Sequence, residues 1–275
     1  MTINCNGRLI DLNAPKVMGI LNVTPDSFFD GGKHANGAAV LQHAERLLSE
    51  GADFIDIGGY SSRPGATDVS QSEEMARVIP AVEAVIAEFP DALISIDTFR
   101  SDVAKAAIAS GAAIVNDISA GNLDQKMLET VASLRVPYIM MHMRGNPQTM
   151  QTLTDYNDIT KEMLSYFAEK IAAARSYGIS DLIVDPGFGF SKTLAQNYEV
   201  MQKLELFALI DLPVLVGVSR KGMIYRPLDA NAENALNGTT VLNTVALMKG
   251  AKILRVHDVK EAVEAVKLVS LINPR

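Results

Sequence analysis

Short apolar runs rich in Val and Ile alternate along the chain with longer amphipathic stretches. The runs VMGIL (17–21), FIDIG (54–58), LISID (93–97), AIVND (113–117), PYIMMH (137–142), LIVDP (182–186), VLVGV (214–218) and ILRVH (253–257) predict strands. They are apolar at nearly every position, as strands covered on both faces require. Between them, 37–50, 72–88, 101–110, 124–134, 157–177, 195–209, 233–249 and 258–271 carry apolar residues at spacings of three and four, and predict helices. Gly51, Gly111, Gly178 and Gly250 stand where helices should stop.

Eight strands alternating with eight helices predict an α/β fold, a (β/α)8 TIM barrel formed as one domain over 1–275. The rival, an open doubly wound sheet, lacks its glycine fingerprint after the first strand. The opening segment INCNGRLIDL predicts an N-terminal β-hairpin turning at Asn6-Gly7 and covering the barrel bottom.

Charge and composition narrow the function classes. The 275 residues are 48% hydrophobic, enough for a large core, and the net charge is −7. An acidic chain argues against nonspecific binding to nucleic acid or to an anionic membrane. The one cysteine, Cys5, excludes an internal disulfide framework and a Cys-based zinc site. No basic leader opens the chain, and no apolar run reaches the ~18–20 residues of a membrane helix. A soluble cytoplasmic protein is expected.

Polar residues gather where the strands end, which is where a barrel of this kind does its chemistry. In order come Asn22, the loop GGYSSRPGA with Arg63, Asp97, Asn116 and Asp117, MHMRGNP, DPGFGFSK from Asp185, SRKG with Lys221, and finally Arg255 and His257. Each has an ordinary structural reading: Asp97 as a turn residue, Gly187 and Gly189 as turn glycines, Lys221 as a solvated cation, His142 as a satisfied core histidine. Convergence on one rim changes those odds. Arg255 and His257 lie two apart on one strand, so both point to one side, and a buried cation there needs an anion. The cations Arg63, Arg220, Lys221, Arg255 and His257 suit an anion such as phosphate. Asp97, Asn116 and Asp185 suit a flat, nitrogen-rich ring. A bipartite site is expected. Walker, H-E-x-x-H and nucleophile-elbow motifs are absent.

GILNVTPDSFFDGG (19–32), DIGGYSSRPGA (56–66), SIDTFR, VNDIS, MHMRGNPQTMQ, DPGFGFSKT, VSRKGMI and RVHDV, in this order, resemble the dihydropteroate synthase family over nearly the whole chain. The resemblance implies a TIM barrel that joins p-aminobenzoate to 6-hydroxymethyl-7,8-dihydropterin diphosphate, giving 7,8-dihydropteroate and diphosphate in folate synthesis. It implies Mg2+, and usually a homodimer. By motif, Asn22 would contact a diphosphate-bound Mg2+, and Arg63, Arg255 and His257 would hold the diphosphate. Asp97, Asn116, Asp185 and Lys221 would hold the pterin, with Met141 against its ring. Phe28, Ser62, Pro64, Phe190, Ser219 and Lys221 would border p-aminobenzoate. Asp97, Lys221 and Arg63 are the implied catalytic groups. The family generally has Glu-Ser-Thr before Arg-Pro; Tyr60-Ser61-Ser62 stands here, which puts details of the p-aminobenzoate loop in question. Two other readings are a pterin-binding methyltransferase-type barrel and a noncatalytic pterin-binding protein; diphosphate release would separate the synthase from both.

Overall fold

A computed structural model describes residues 1–23, 32–60 and 69–272. The expected hairpin is present: β1 (Thr2–Cys5) pairs antiparallel with β2 (Arg8–Asp11). Its turn residues Asn6 and Gly7 have φ of 52° and 82°, the positive pair that a tight two-residue hairpin turn needs.

Eight parallel strands follow: β3 (Lys16–Asn22), β4 (Phe54–Gly58), β5 (Ile94–Asp97), β6 (Ile114–Asp117), β7 (Tyr138–Met141), β8 (Leu182–Asp185), β9 (Leu215–Val216) and β10 (Ile253–Val256). Each pairs with its neighbour in sequence up to β8, and β10 lies between β9 and β3. A bridge between Val184 and Val214, with the Val184 N–H donating to the Pro213 carbonyl at 3.0 Å, joins β8 to the β9 segment and closes the ring. The barrel expectation holds.

The helices on the outside are α1 (Gly32–Ser49), α2 (Gln71–Glu88), α3 (Ser101–Ala109), α4 (Met127–Leu134), α5 (Ile159–Ser176), α6 (Leu194–Gln202), the short α7 (Gly222–Tyr225), α8 (Leu236–Met248) and α9 (Val259–Ile272). Capping residues set several starts. Ser70 Oγ accepts from the Glu73 N–H ahead of α2, Asp158 from Lys161 ahead of α5, and Thr193 forms a reciprocal box with Gln196 ahead of α6. The larger differences from the sequence expectation fall in three places. α1 begins five residues early. The predicted 195–209 helix ends at Gln202 and continues as a 3-10 turn over Leu204–Ile210. The VLVGV strand shrinks to two paired residues, and the unforeseen α7 follows it. Among the described residues, no helix is long and apolar enough to cross a membrane.

Strand alternation sorts the core into two shells. Leu21, Ile57, Ile96, Val115, Val184 and Leu254 face outward and pack against the helices. Met18, Phe54, Ile114, Ile139, Ile183, Leu215 and Ile253 face inward and form a plug with Ile3, Cys5 and Leu12 of the hairpin segment. The hairpin therefore seals the barrel base, as its sequence suggested. It is pinned there by the Asn4 N–H donating to Asp181 Oδ2 at 2.8 Å and by Arg8 donating to the Asp91 carbonyl at 2.8 Å.

Candidate active site

Two residues above the apolar plug, the same inward-facing alternation delivers polar groups. Phe54 is followed by Asp56, Ile114 by Asn116, Ile183 by Asp185, and Ile253 by Arg255. At the centre, Arg255 Nε donates to Asp56 Oδ2 at 2.6 Å and its Nη2 donates to Asp97 Oδ2 at 2.6 Å. Asn116 Nδ2 donates to the same Asp56 Oδ2 at 3.1 Å. In this structure the anion that meets Arg255 is thus a pair of carboxylates. Asp56 is fully buried, whereas the Asp97 side chain retains 18% exposure, so Asp97 is the carboxylate nearer the mouth. Gly58 and Gly217 leave the space: a Cβ on Gly58 would stand 3.4 Å from Asp97 Cβ, and one on Gly217 3.7 Å from Arg255 Cβ.

Burial pushes the Asp97 carboxyl up to about 7; Arg255 pulls the other way, and Asp56, Glu74 and Asp117 add to the rise. Burial works against the Arg255 charge too, but Asp56 and Asp97 hold the guanidinium above its ordinary value. Asp117 points outward and does not join the site. It accepts from Ser119 N and Oγ, Gly121 N and Tyr138 Oη, each at 2.7 Å, and organises the turn after β6.

The second half of the site is the segment after β8. Asp185 Oδ1 accepts from the Gly187 N–H at 2.7 Å, and Lys221 Nζ donates to the Phe188 carbonyl at 2.6 Å. The Lys221 ammonium lies 4.7 Å from the Phe190 ring centre, within cation–π reach. Burial pushes the Asp185 carboxyl up, against the pull of Lys221, and lowers Lys221 to about 8, with Asp185 opposing. Met141 is buried in a small apolar cluster with Ile118, Met143 and Met150, packed by Phe99, Leu123 and Phe190. That cluster is an apolar wall beside the charged groups, where a flat ring can lie.

Beneath this loop lies a lysine that the sequence reading passed over. Lys192 is buried, and its Nζ reaches the Gly187 carbonyl at 2.9 Å, the Phe190 carbonyl at 3.0 Å and His142 Nδ1 at 3.1 Å. Burial lowers Lys192 to about 7 and His142 to about 2, the latter also repelled by Lys192 and Arg144. His142 is thus the core histidine its ordinary reading predicted. Gly187 has a φ of +67°, and a Cβ there would stand 2.2 Å from the His142 carbonyl oxygen, so only glycine fits.

At the end of the circuit, Ser219 Oγ accepts from the His257 N–H at 3.1 Å and lies 3.1 Å from His257 Nδ1. Ser219, expected beside p-aminobenzoate, here positions the histidine expected at the diphosphate. Asn22 ends β3 and is half-buried. Arg220, grouped in the sequence with the anion-binding cations, is instead committed to Asp258 through two bonds of 2.9 and 2.6 Å. Phe28, Ser62, Arg63 and Pro64 lie outside the described residues. Tyr60, which stands where the family generally has Glu, packs edge-on to Phe99 at 5.1 Å and accepts from Gln148 Nε2 at 3.0 Å. The Arg100 guanidinium stands 5.4 Å from the Tyr60 ring and 4.9 Å from Phe99, while Arg100 pairs with buried Glu74.

The sequence model of the pterin binding enzyme family matches residues 18–257. The chain belongs to that family. It is 45% identical over 271 residues to the dihydropteroate synthase of Escherichia coli (strain K12), covering 98% of this chain and 95% of that one. Among solved structures, the dihydropteroate synthase of Yersinia pestis in a sulfonamide drug complex superposes with a TM-score of 0.93 at 43% identity, covering 100% of both chains. That of Xanthomonas albilineans with 4-aminobenzoic acid has a TM-score of 0.93 at 40% identity, covering 100% of this chain and 98% of that one. The TIM-barrel and family expectations are borne out, and the chain is an enzyme with the function of a dihydropteroate synthase, in folate biosynthesis.

Proposed function

We propose that the barrel mouth condenses 6-hydroxymethyl-7,8-dihydropterin diphosphate with p-aminobenzoate by dissociative C–O cleavage. The observation that carries this reading is the inward-facing cluster of Asp56, Asp97, Asn116 and Arg255, set beside Asp185, Lys221 and the Met141–Phe190 wall. Asp97, Asn116 and Asp185 read the edge of the pterin ring, and Met141 packs on its face. As the C–O bond breaks, its electron pair leaves with the diphosphate, and the methylene is left cationic and delocalised into the ring. The neighbouring carboxylates favour that cation, and Arg63, Arg255 and His257 take up the growing charge on the diphosphate. The amine nitrogen of p-aminobenzoate then forms the C–N bond and gives up a proton to solvent. Positioning by Phe28, Ser62, Pro64, Phe190, Ser219 and Lys221 suffices, because an aryl amine is a weak base already free to attack.

Magnesium fits this arrangement as a companion of the diphosphate. Among the described residues there is no group of three or more His, Cys, Asp or Glu able to hold a metal, and Asn22 presents a single amide oxygen at the rim. One protein oxygen completed by phosphate oxygens and water is a usual Mg2+ environment. The ion would supply charge neutralisation on the leaving group.

A homodimer is part of the same proposal. The segment Leu236–Met248 contains no charged residue, and Val241 and Met248 on it are exposed, as are Leu268, Leu271 and Ile272 on the adjoining α9. Such an apolar face suits a second copy of the chain; a monomer by sedimentation at micromolar concentration would refute it.

The deciding experiment mixes purified protein, Mg2+, the pterin diphosphate and p-aminobenzoate. Stoichiometric dihydropteroate and diphosphate are expected. Pterin binding without diphosphate release would leave a noncatalytic binder.

A further inference from the structure

The cluster has a member that faces neither pocket. Asp56 is fully buried on β4, and its Oδ2 alone receives both Arg255 Nε at 2.6 Å and Asn116 Nδ2 at 3.1 Å. Oδ1 is also buried and has no partner among the described residues. A buried carboxylate kept in this state is costly unless it has a task. Its two donors come from strands on either side of it: Asn116 sits two strands away on β6, and Arg255 two strands away on β10. Each belongs to a different half of the bipartite site. A guanidinium anchored through Nε keeps its Nη atoms aimed along the fork, and one of them is on Asp97. An amide whose NH2 is held by Asp56 has its carbonyl oxygen turned the other way.

We propose that Asp56 is a positioning residue of the synthase reaction, one buried anion that sets the orientation of the Asn116 amide and the Arg255 guanidinium together. It rests on the reading that Asn116 and Arg255 meet the substrate. Asp56 aims Asn116 so that its carbonyl faces the ring pocket, and it shares Arg255 with Asp97 so that the cation stays at the border of the two halves. The charged groups around Asp97 are Asp56 on β4, Glu74 on α2, Asp117 on β6, Arg255 on β10 and Lys221 beyond β9. Of these, Asp56 and Asp97 are the two that share a cation through direct hydrogen bonds.

The test uses the full chain and a free pterin titrated by calorimetry between pH 5 and 9, with thermal melting of each variant alongside. Asp56→Asn keeps the shape and removes the charge. Pterin affinity is expected to fall on the order of tenfold or more, the scale of losing a charged hydrogen bond. The pH below which affinity is lost should also move downward, because Asp97 loses a like-charged neighbour and gains Arg255 for itself. In an Asn116→Ala background the same change should cost far less, since its route to the ring is gone. If Asn116→Ala leaves pterin affinity unchanged, the ring-reading role fails and this proposal with it. If Asn116→Ala weakens binding but Asp56→Asn alters only the melting temperature, with the acid limb unmoved, Asp56 is merely structural and the proposal is overturned. Should Asp56→Asn not fold, Arg255→Lys makes the same test. It keeps the charge but cannot bridge two carboxylates with a planar fork. The acid limb of pterin binding should then move upward, because Asp97 no longer shares the cation with Asp56, and an unshifted limb in that variant would overturn the proposal equally.

Discussion

The base and the mouth of this barrel are built from the same strands, two residues apart, and they follow opposite rules. At the base, Phe54, Ile114, Ile183 and Ile253 close against Ile3, Cys5 and Leu12 in an apolar cluster. At the mouth, the next inward positions of those strands are Asp56, Asn116, Asp185 and Arg255. The base is stable by itself: apolar area removed from water needs no particular partner. The mouth is stable only as a set. Asp56 and Asp97 are tolerated because Arg255 lies between them, and Arg255 because of them. One end of the barrel stores stability, and the other holds charge in readiness for a ligand.

The largest break in this contrast should come from Arg255→Ala. It leaves two carboxylates with no cation between them, and breaking such a buried pair costs about 3–5 kcal/mol. Turnover should disappear with it. The effect carries a pH signature. Asp97 already sits at about 7 against an ordinary 3.8, and loss of Arg255 lifts it further. A carboxyl raised in the folded state contributes stability that is complete below its unfolded pKa and is lost as pH rises through the folded one. The deficit of the variant, read by urea unfolding, should therefore be small near pH 4 and widen toward pH 8. A deficit independent of pH would mean that Arg255 does not hold Asp97 as an ion.

Phe54→Ala, two residues below Asp56, is the matching break at the base. A fully buried Phe emptied to Ala should cost ~3–5 kcal/mol through transfer and cavity terms. Unlike Arg255→Ala, it should leave the KM values of the surviving folded enzyme near wild type, and its deficit should be flat from pH 5 to 8. Altered KM would show that the plug and the mouth are mechanically coupled.

Lys192→Met tests a position between the two regimes. It removes the donor for the Gly187 and Phe190 carbonyls and for His142 Nδ1. Unsatisfied buried acceptors cost ~1–3 kcal/mol. The loop they hold carries Phe190, so the KM for p-aminobenzoate should rise more than that for the pterin substrate; equal changes in the two would contradict a local effect on that loop.

The smallest effect belongs to Cys5. It is fully buried at the end of β1, on the hairpin's barrel-facing side, and burial, with Asp181 adding, pushes its thiol up to about 12. At pH 8 a disulfide-exchange reagent should label the native protein negligibly and the urea-unfolded protein fully. Rapid labelling of the native state would mean that the hairpin does not seal the base.

Much of this was legible beforehand. The Asn6-Gly7 turn, the barrel and the inward pairing of Arg255 with His257 all follow from local periodicity, which needs no knowledge of neighbours. Asp56 was as legible in principle: it follows Phe54 by two within FIDIG, the same spacing that drew attention to Arg255. It went unread because an Asp inside an apolar run has no visible partner until a residue 199 positions along the chain is folded against it. Lys192 escaped for a similar reason, since a Lys after a loop is ordinarily solvated. Arg220 misled in the opposite direction, for its neighbour Lys221 faces the site while it turns to Asp258.

The sequence by itself therefore determined the elements, their order, the closed barrel and the rim on which chemistry gathers, because these depend on spacing within short segments and on the few ways that alternating strands and helices can pack. Only the tertiary structure decided which charges neutralise one another: that Asp56 and Asp97 share Arg255, that Asp117 turns outward, and that Lys192 lies beneath the loop that Lys221 holds from above. Electrostatic partners are set by distances of a few ångströms between strands remote in sequence, in a medium where burial magnifies each charge, and no periodicity along the chain encodes those distances.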